Sequence, residues 1–483
     1  MSKVAAPDGG YAKLDDAKDA SKDASCAPLE ALGKQVQRWR DAQEPSTVLL
    51  ADVAATLFCW LVFGVFFFRR FSHGGHFTWA YSFYFCINVG YGIGSAPFRP
   101  SHAAARLVLC AYLVAGQLLI VGGLGAYFQA SAARLERAAG AGPRRHHLSL
   151  LSLGYAVVVG WGLVVGRAAG KMGALADCLV FSLTNLTTAG LKVGRYTRDN
   201  WLATAFFMLV GVPYAMLYFS EVSTALFAYD GDAAGPEAES LLPGSPEPSP
   251  LARLRRWRRS LKAAQLQALD LLALFAAWLL TGVLAFRRLG DGWSYAYAFY
   301  FAVNTGVGCG SAPYRPTSAP GKFYECAHCV FGQVIIIGGI RAYCHGASER
   351  ARRAAAADAG VAAATNPVLT VGGAVYAGIL AWGLYVGYLC GYRGPVHLLY
   401  YSVSNATSAG LFVRQGDGHE AFHVWIVSAL YLLVAVPYTM FWFSEITSVV
   451  FAQHEQAVVT RRRSLRDFKH RIRALVRPSA GLA

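Results

Sequence analysis

The chain alternates long apolar runs with short polar connections. Eight runs, at about 48–68, 104–128, 148–168, 202–228, 265–286, 321–344, 368–391 and 422–451, are each long enough to cross about 30 Å of hydrocarbon as a helix. Four shorter apolar segments lie between some of them, at 76–88, 173–187, 291–304 and 395–407. Those are too short to span and suit re-entrant helices, whose irregular continuation is tolerated only where it lines a cavity. The pattern predicts an all-α membrane protein with eight transmembrane helices and four re-entrant helix-and-loop units.

Composition agrees with that reading and excludes others. Of 483 residues, 55% are hydrophobic and only 15% charged, against about 25% charged in an ordinary globular protein. A soluble enzyme and a disordered chain are both disfavoured. The 44 Lys and Arg outnumber the 28 Asp and Glu, yet no zinc-finger, basic-zipper or RNA-binding signature accompanies the surplus. In an apolar chain such a surplus reads as membrane topology. Ten Cys are too few for a disulfide scaffold and mostly lie inside apolar runs. No nucleotide-binding, zinc-protease, hydrolase-elbow or calcium-loop motif is present, so no enzymatic activity and no cofactor are expected.

Basic residues set the expected orientation. The connection 129–147, the linker 229–262 with LARLRRWRRSLK, the connection holding Arg350, Arg352 and Arg353, and the tail from 453 all carry Lys or Arg clusters. With eight spans they share one side with the N-terminal residues 1–46, which lack the apolar core of a signal peptide. The positive-inside rule makes that side cytoplasmic, both termini included, in a plasma or organelle membrane. The linker and tail also contain basic amphipathic stretches suited to anionic lipids.

The chain contains itself twice, as channel-like units 47–228 and 263–452. FYFCINVGYGIGSAPFRP at 83–100 matches FYFAVNTGVGCGSAPYRP at 299–316, and GQLLIVGGLGAY at 116–127 matches GQVIIIGGIRAY at 332–343. FSLTNLTTAGL at 181–191 matches YSVSNATSAGL at 401–411, and GVPYAMLYFSEVSTALFA at 211–228 matches AVPYTMFWFSEITSVVFA at 435–452. Asp52 and Trp60 recur as Asp270 and Trp278. Matches this dense mark a duplication. Four spans per unit give both units the same orientation, so the repeats are parallel.

Each short segment runs into a Gly-rich strand: NVGYGIG, TTAGLKVG, NTGVGCG and TSAGLFV. A dehydrated cation must trade water oxygens for protein oxygens, and rings of backbone carbonyls supply them. Gly at alternate positions permits the required backbone without a Cβ penalty. The candidate ion-binding residues are Asn88, Val89, Gly90, Tyr91 and Gly92; Thr187, Thr188, Ala189, Gly190 and Leu191; Asn304, Thr305, Gly306, Val307 and Gly308; and Thr407, Ser408, Ala409, Gly410 and Leu411. A tight surface turn is the alternative for any one strand; four such strands in equivalent places argue against it.

On these residues the organisation resembles the two-pore-domain potassium channel family, and residues 47–452 look like two such subunits fused head to tail. FSLTNLTTAGL is similar to that family's second filter region, FYFA before a Gly-rich strand and SAP to its first, and GVPYAMLYFSEVSTALF to its inner helix with a G-x-P hinge. The resemblance implies a passive, potassium-conducting cation channel. Family members pair to bring four loops around one pore, so here one chain suffices. Lys192 and Phe412 stand where the family pattern has Gly, at the outer mouth. The register of the first and third strands stays open. Gly90-Tyr91-Gly92 with Gly306-Val307-Gly308 is preferred because it keeps Tyr91 in the family's aromatic position. Gly92-Ile93-Gly94 with Gly308-Cys309-Gly310 is the other choice. Weak selectivity, anion passage, a non-conducting regulatory role and secondary transport remain alternatives.

Gly122, Gly123, Gly338, Gly339, Pro213 and Pro437 fall inside the predicted inner spans. They are candidate gating hinges, or static bends. Glu221 and Glu445 occupy equivalent places near the cytoplasmic ends of spans four and eight, where they attract cations or pair with basic linkers. The sequence Cys326-Ala327-His328-Cys329 lacks a second ligand pair and reads as helical packing rather than a metal centre.

Overall fold

The computed structural model describes residues 35–71, 77–120, 144–170, 174–190, 201–227, 263–340, 365–410 and 422–447, a few positions within these stretches excepted. Among them every regular element is helical. In chain order these are α1 (Pro45–Phe71), α2 (Trp79–Gly90), α3 (Ala103–Gln117), α4 (Arg144–Gly170), α5 (Leu175–Leu186), α6 (Trp201–Phe227), α7 (Ala263–Leu289), α8 (Tyr295–Gly306), α9 (Ala319–Gln333), α10 (Thr365–Leu389), α11 (Pro395–Ala406) and α12 (Phe422–Thr447). The chain divides into a large unit, Val53–Phe451, and a small one made of Met1–Asp52 with Ala452–Ala483. Within the small unit the Arg40 guanidinium donates to the Asp52 carboxylate at 2.6 Å.

Among the described residues seven helices are long and apolar enough to cross a membrane, the pattern of a multi-pass membrane protein. They separate into two kinds. Apolar windows in α1 and α4 are only 17% buried, whereas those in α6 and α12 are 44% and 50% buried. The outer helices expose Phe58, Phe63 and Phe66 on α1 and Leu150, Val157 and Val164 on α4. Large apolar faces of this size are stable against lipid and not against water.

The sequence predicts an eighth span at 321–344. There α9 supplies 15 α-helical residues and then widens into a π-helix over Val334–Ile340. Lys322, Glu325, His328 and Gln333 interrupt its apolar run, so it falls short of the other seven. The equivalent α3 also turns into a π segment, at residues 118–120.

The four short segments fold as helices of 12 residues each. The hydroxyls of Thr78 and Ser294 accept from the amides of Tyr81 and Tyr297, both at 3.2 Å, and start α2 and α8. Side-chain caps of this kind satisfy helix-terminal donors that a buried helix cannot leave to water. These helices pack inside the bundle. Helix α2 lies against α3 and α6, α5 against α4 and α9, α8 against α7 and α9, and α11 against α10 and α3. The contacts of α5 with α9 and of α11 with α3 join the two halves.

Candidate functional site: a ring of four loops

Helices α2, α5, α8 and α11 end at Tyr91, Thr187, Val307 and Thr407 with nearly the same backbone, φ −83°, −89°, −82° and −87°. That likeness sets the register. The next residues, Gly92, Thr188, Gly308 and Ser408, all take positive φ, of 71°, 57°, 75° and 59°. Two residues further, Gly94, Gly190, Gly310 and Gly410 do so again. Between them stand Ile93, Ala189, Cys309 and Ala409.

The alternation therefore falls on Gly92-Ile93-Gly94 and Gly308-Cys309-Gly310. The preferred sequence register, with cores at Gly90-Tyr91-Gly92 and Gly306-Val307-Gly308, is corrected by one step of two residues. Asn88, Val89 and Gly90 belong to α2, and Asn304, Thr305 and Gly306 to α8. The helix persists through Gly90 because Tyr91 N–H still donates to Ile87 O at 2.9 Å, as Val307 N–H does to Val303 O. Tyr91 turns its phenol outward and donates to Leu209 O at 3.1 Å.

The four loops form a closed ring. The side of Gly190 where a Cβ would stand is filled by the Ile93 carbonyl, that of Gly310 by the Ala189 carbonyl, that of Gly410 by the Cys309 carbonyl and that of Gly94 by the Ala409 carbonyl. Each loop thus abuts the next in chain order, and the fourth returns to the first. Only glycine allows this approach together with positive φ. Among the described residues no hydrogen bond is donated to the carbonyls of Ile93, Ala189, Cys309 or Ala409. These four equivalent, buried acceptors thus have no donor among the described residues.

The ring is fourfold in outline and twofold in detail. Loops one and three are tied at their middle residue, Ile93 N–H to Asn88 O at 2.8 Å and Cys309 N–H to Asn304 O at 2.9 Å. Loops two and four are tied one residue later, Gly190 N–H to Thr184 O and Gly410 N–H to Ser404 O. Asn88 and Asn304 act as posts behind the odd loops. Asn88 Oδ1 accepts from Ala96 N–H at 3.2 Å, and Asn304 Nδ2 donates to Ser311 Oγ. Thr187 and Thr407 turn their hydroxyls back to Leu183 O and Val403 O, both at 2.7 Å.

Two residues missed by the sequence reading complete the site. Gln117 Nε2 donates to Gly90 O at 3.4 Å and Gln333 Nε2 to Gly306 O at 3.2 Å, each from an inner helix to the last carbonyl of a short one. The signal was legible, since both recur in the matched GQ segments as polar residues within apolar runs. Trp60 and Trp278 fill the space beside Gly90 with Gly116 and beside Gly306 with Gly332.

Other candidates are scattered relative to the ring. Pro213 and Pro437 are half-buried within α6 and α12, and Gly338 and Gly339 lie in the π segment. Glu221 is half-buried, whereas its equivalent Glu445 is fully buried. His328 stacks on Trp278 at 4.5 Å and its Nε2 bonds Ala302 O, in the place Tyr112 takes against Trp60. Leu191, Lys192, Leu411, Phe412, Gly122 and Gly123 lie outside the described residues, as do the linker 229–262 and the tail from 453. No family model matches this chain, and neither a curated protein nor a solved structure matches it.

Proposed function

We propose that the chain is a passive cation channel whose permeation site is the ring of four loops, with potassium as the expected ion. The observation that carries the reading is the set of carbonyls of Ile93, Ala189, Cys309 and Ala409, equivalent in position, buried, and without a donor among the described residues. A buried carbonyl left unsatisfied is costly. A cation shedding its hydration shell supplies the missing partner, and rings of such carbonyls are how selective pores replace water. The short helices aim their C-termini, the negative ends of their dipoles, toward the ring.

In this reading α9 with its π continuation is an eighth span, α2, α5, α8 and α11 are re-entrant, and both termini are cytoplasmic. The basic linker and tail rest on anionic lipid. All four loops come from one chain, so a monomer is sufficient to conduct.

Recording from the purified chain in planar bilayers tests the proposal. Reversal potentials in K⁺/Na⁺ gradients should follow the cations. A reversal that tracks an imposed Cl⁻ gradient, or flux that saturates and couples to a second solute, overturns it.

A further inference from the structure

We infer that Gln117 and Gln333 are positioning residues that set the ring's ion preference by holding Ser408 and Thr188 in their left-handed backbone. The inference rests on the channel reading above. Thr188 and Ser408 are the described non-glycine residues with positive φ, at 57° and 59°. For an L-residue that conformation is strained, and such strain persists where surrounding structure over-determines it. The equivalent positions in loops one and three are glycines and carry no such cost.

What over-determines them is found in two matching niches. A Cβ on Gly92 would stand 2.5 Å from Ser408 Oγ, 2.6 Å from Gln117 Nε2 and 2.6 Å from Thr407 O. A Cβ on Gly308 would stand 2.7 Å from Thr188 Oγ1, 2.8 Å from Gln333 Nε2 and 2.7 Å from Thr187 O. The absent side chain of each odd-loop glycine is thus replaced by a glutamine amide and by the hydroxyl of the even loop beside it. All four side chains are buried. In one niche Ser408 Oγ donates to Gly92 O at 3.4 Å. In the other, Thr188 Oγ1 and Gln333 Oε1 are buried and have no hydrogen-bond partner among the described residues.

Each glutamine therefore does two things at once. Its amide nitrogen fixes the last carbonyl of α2 or α8 and, held there, fills the niche that keeps the neighbouring hydroxyl residue from relaxing to negative φ. Relaxation at Thr188 or Ser408 would redirect the chain that follows it and carry the Ala189 or Ala409 carbonyl, one peptide further on, out of the ring. The glutamines act through those two residues and need not touch the ion.

The test compares the full-length wild type with a Gln117→Leu/Gln333→Leu variant and with that variant carrying Thr188→Gly and Ser408→Gly. The readouts are the K⁺/Na⁺ permeability ratio in bilayers and the melting temperature in K⁺, Na⁺ and choline. The leucine pair should change the permeability ratio by about tenfold, the scale of one or two hydrogen-bond contributions, and lose the cation-dependent part of its melting temperature. Glycine at 188 and 408 needs no restraint to hold positive φ, so it should restore both readouts. A leucine pair that conducts with an unmoved ratio overturns the inference alone, as does a failure of the glycines to restore it. If the leucine pair does not assemble, the four-residue variant decides, because loss of assembly there too assigns the glutamines a purely structural role and overturns the inference. A wild type with no cation current and no cation-dependent melting removes the channel reading and this inference together.

Discussion

The ammonium of Lys322 sits 2.6 Å from the carboxylate of Asp177, tying the first turn of α9 in the second half to the first turn of α5 in the first half. The equivalent pair across the other junction is Arg106 on α3 and His397 on α11, which also meet. The duplicated chain thus closes on itself through the same two positions twice, once as an ion pair and once as an Arg–His contact. A fusion of two units needs such cross-ties, because the loops of one half abut each other but close into a ring only where Ala189 meets Gly310 and Ala409 meets Gly94 across the halves.

The Lys322–Asp177 pair is a quarter exposed on each side, so its contribution is modest, about 1 kcal/mol or less. Lys322→Ala and Asp177→Ala should each lower the melting temperature slightly, and the double variant should fall little further than either. His397→Asp should raise it by giving Arg106 a carboxylate partner. A double-mutant cycle by thermal denaturation checks all three, and fully additive losses would mean that the pair has no coupling energy.

Gly190 and Gly410 combine positive φ with a neighbouring carbonyl where a Cβ would go. Gly190→Ala and Gly410→Ala should abolish cation flux, and the displaced loop should destabilise the protein by several kcal/mol, as overpacking adds to left-handed strain. Gly160, in α4, has nothing within 4 Å of its Cβ position. Gly160→Ala should leave flux unchanged and raise stability by about 0.5–1 kcal/mol through helix propensity. Flux assays on these variants in liposomes distinguish the two kinds of glycine.

Trp60 and Trp278 are the floor beneath the ends of α2 and α8. Each indole donates to a backbone carbonyl, Tyr112 O at 3.4 Å and His328 O at 3.2 Å, while its ring occupies the space left by two glycines. Trp278→Ala should cost about 3–5 kcal/mol, the range for deleting a buried aromatic ring. Trp278→Phe should cost less. Melting curves in detergent measure both, and equal losses would assign the effect to the indole N–H rather than to its volume.

The two π segments begin where a neighbouring helix offers a hydroxyl. Ser223 Oγ on α6 donates to Val334 O at 2.8 Å, and Thr447 Oγ1 on α12, which bonds Phe443 O of its own helix, shares its proton with Leu118 O at 3.5 Å. Widening from α to π frees a backbone carbonyl, and a hydroxyl from the other half satisfies it. Ser223→Ala should therefore destabilise by about 0.6 kcal/mol, the average for hydrogen bonds between helices in bilayers, and Thr447→Ala by less, since its bond is longer. Hydrogen exchange of the Val334–Ile340 amides should quicken in Ser223→Ala. Unchanged exchange would show that the hydroxyl does not hold the π geometry.

Much of this architecture was legible in residues 83–100 and 299–316 alone. A helix of 12 residues ahead of a Gly-rich strand, repeated at a constant offset, needs only composition and periodicity to be seen. The register was not legible there. In GYGIG every second residue is glycine, so two frames are chemically equal, and the aromatic Tyr91 favoured the wrong one. What breaks the tie is the indole of Trp60 beneath Gly90 and the amide of Gln117 on its carbonyl, both from elements distant in the chain.

By itself the amino-acid sequence determined that the chain is a duplicated, helical membrane protein, because length, apolarity and repetition are local properties that a bilayer reads directly. It also marked the glycines as places of unusual backbone. Only the tertiary structure decided which glycines turn left-handed, that Thr188 and Ser408 join them, and that the four loops meet in a closed order. Those outcomes depend on which carbonyl comes to lie against which missing side chain, and that is set by packing between halves rather than by any segment alone.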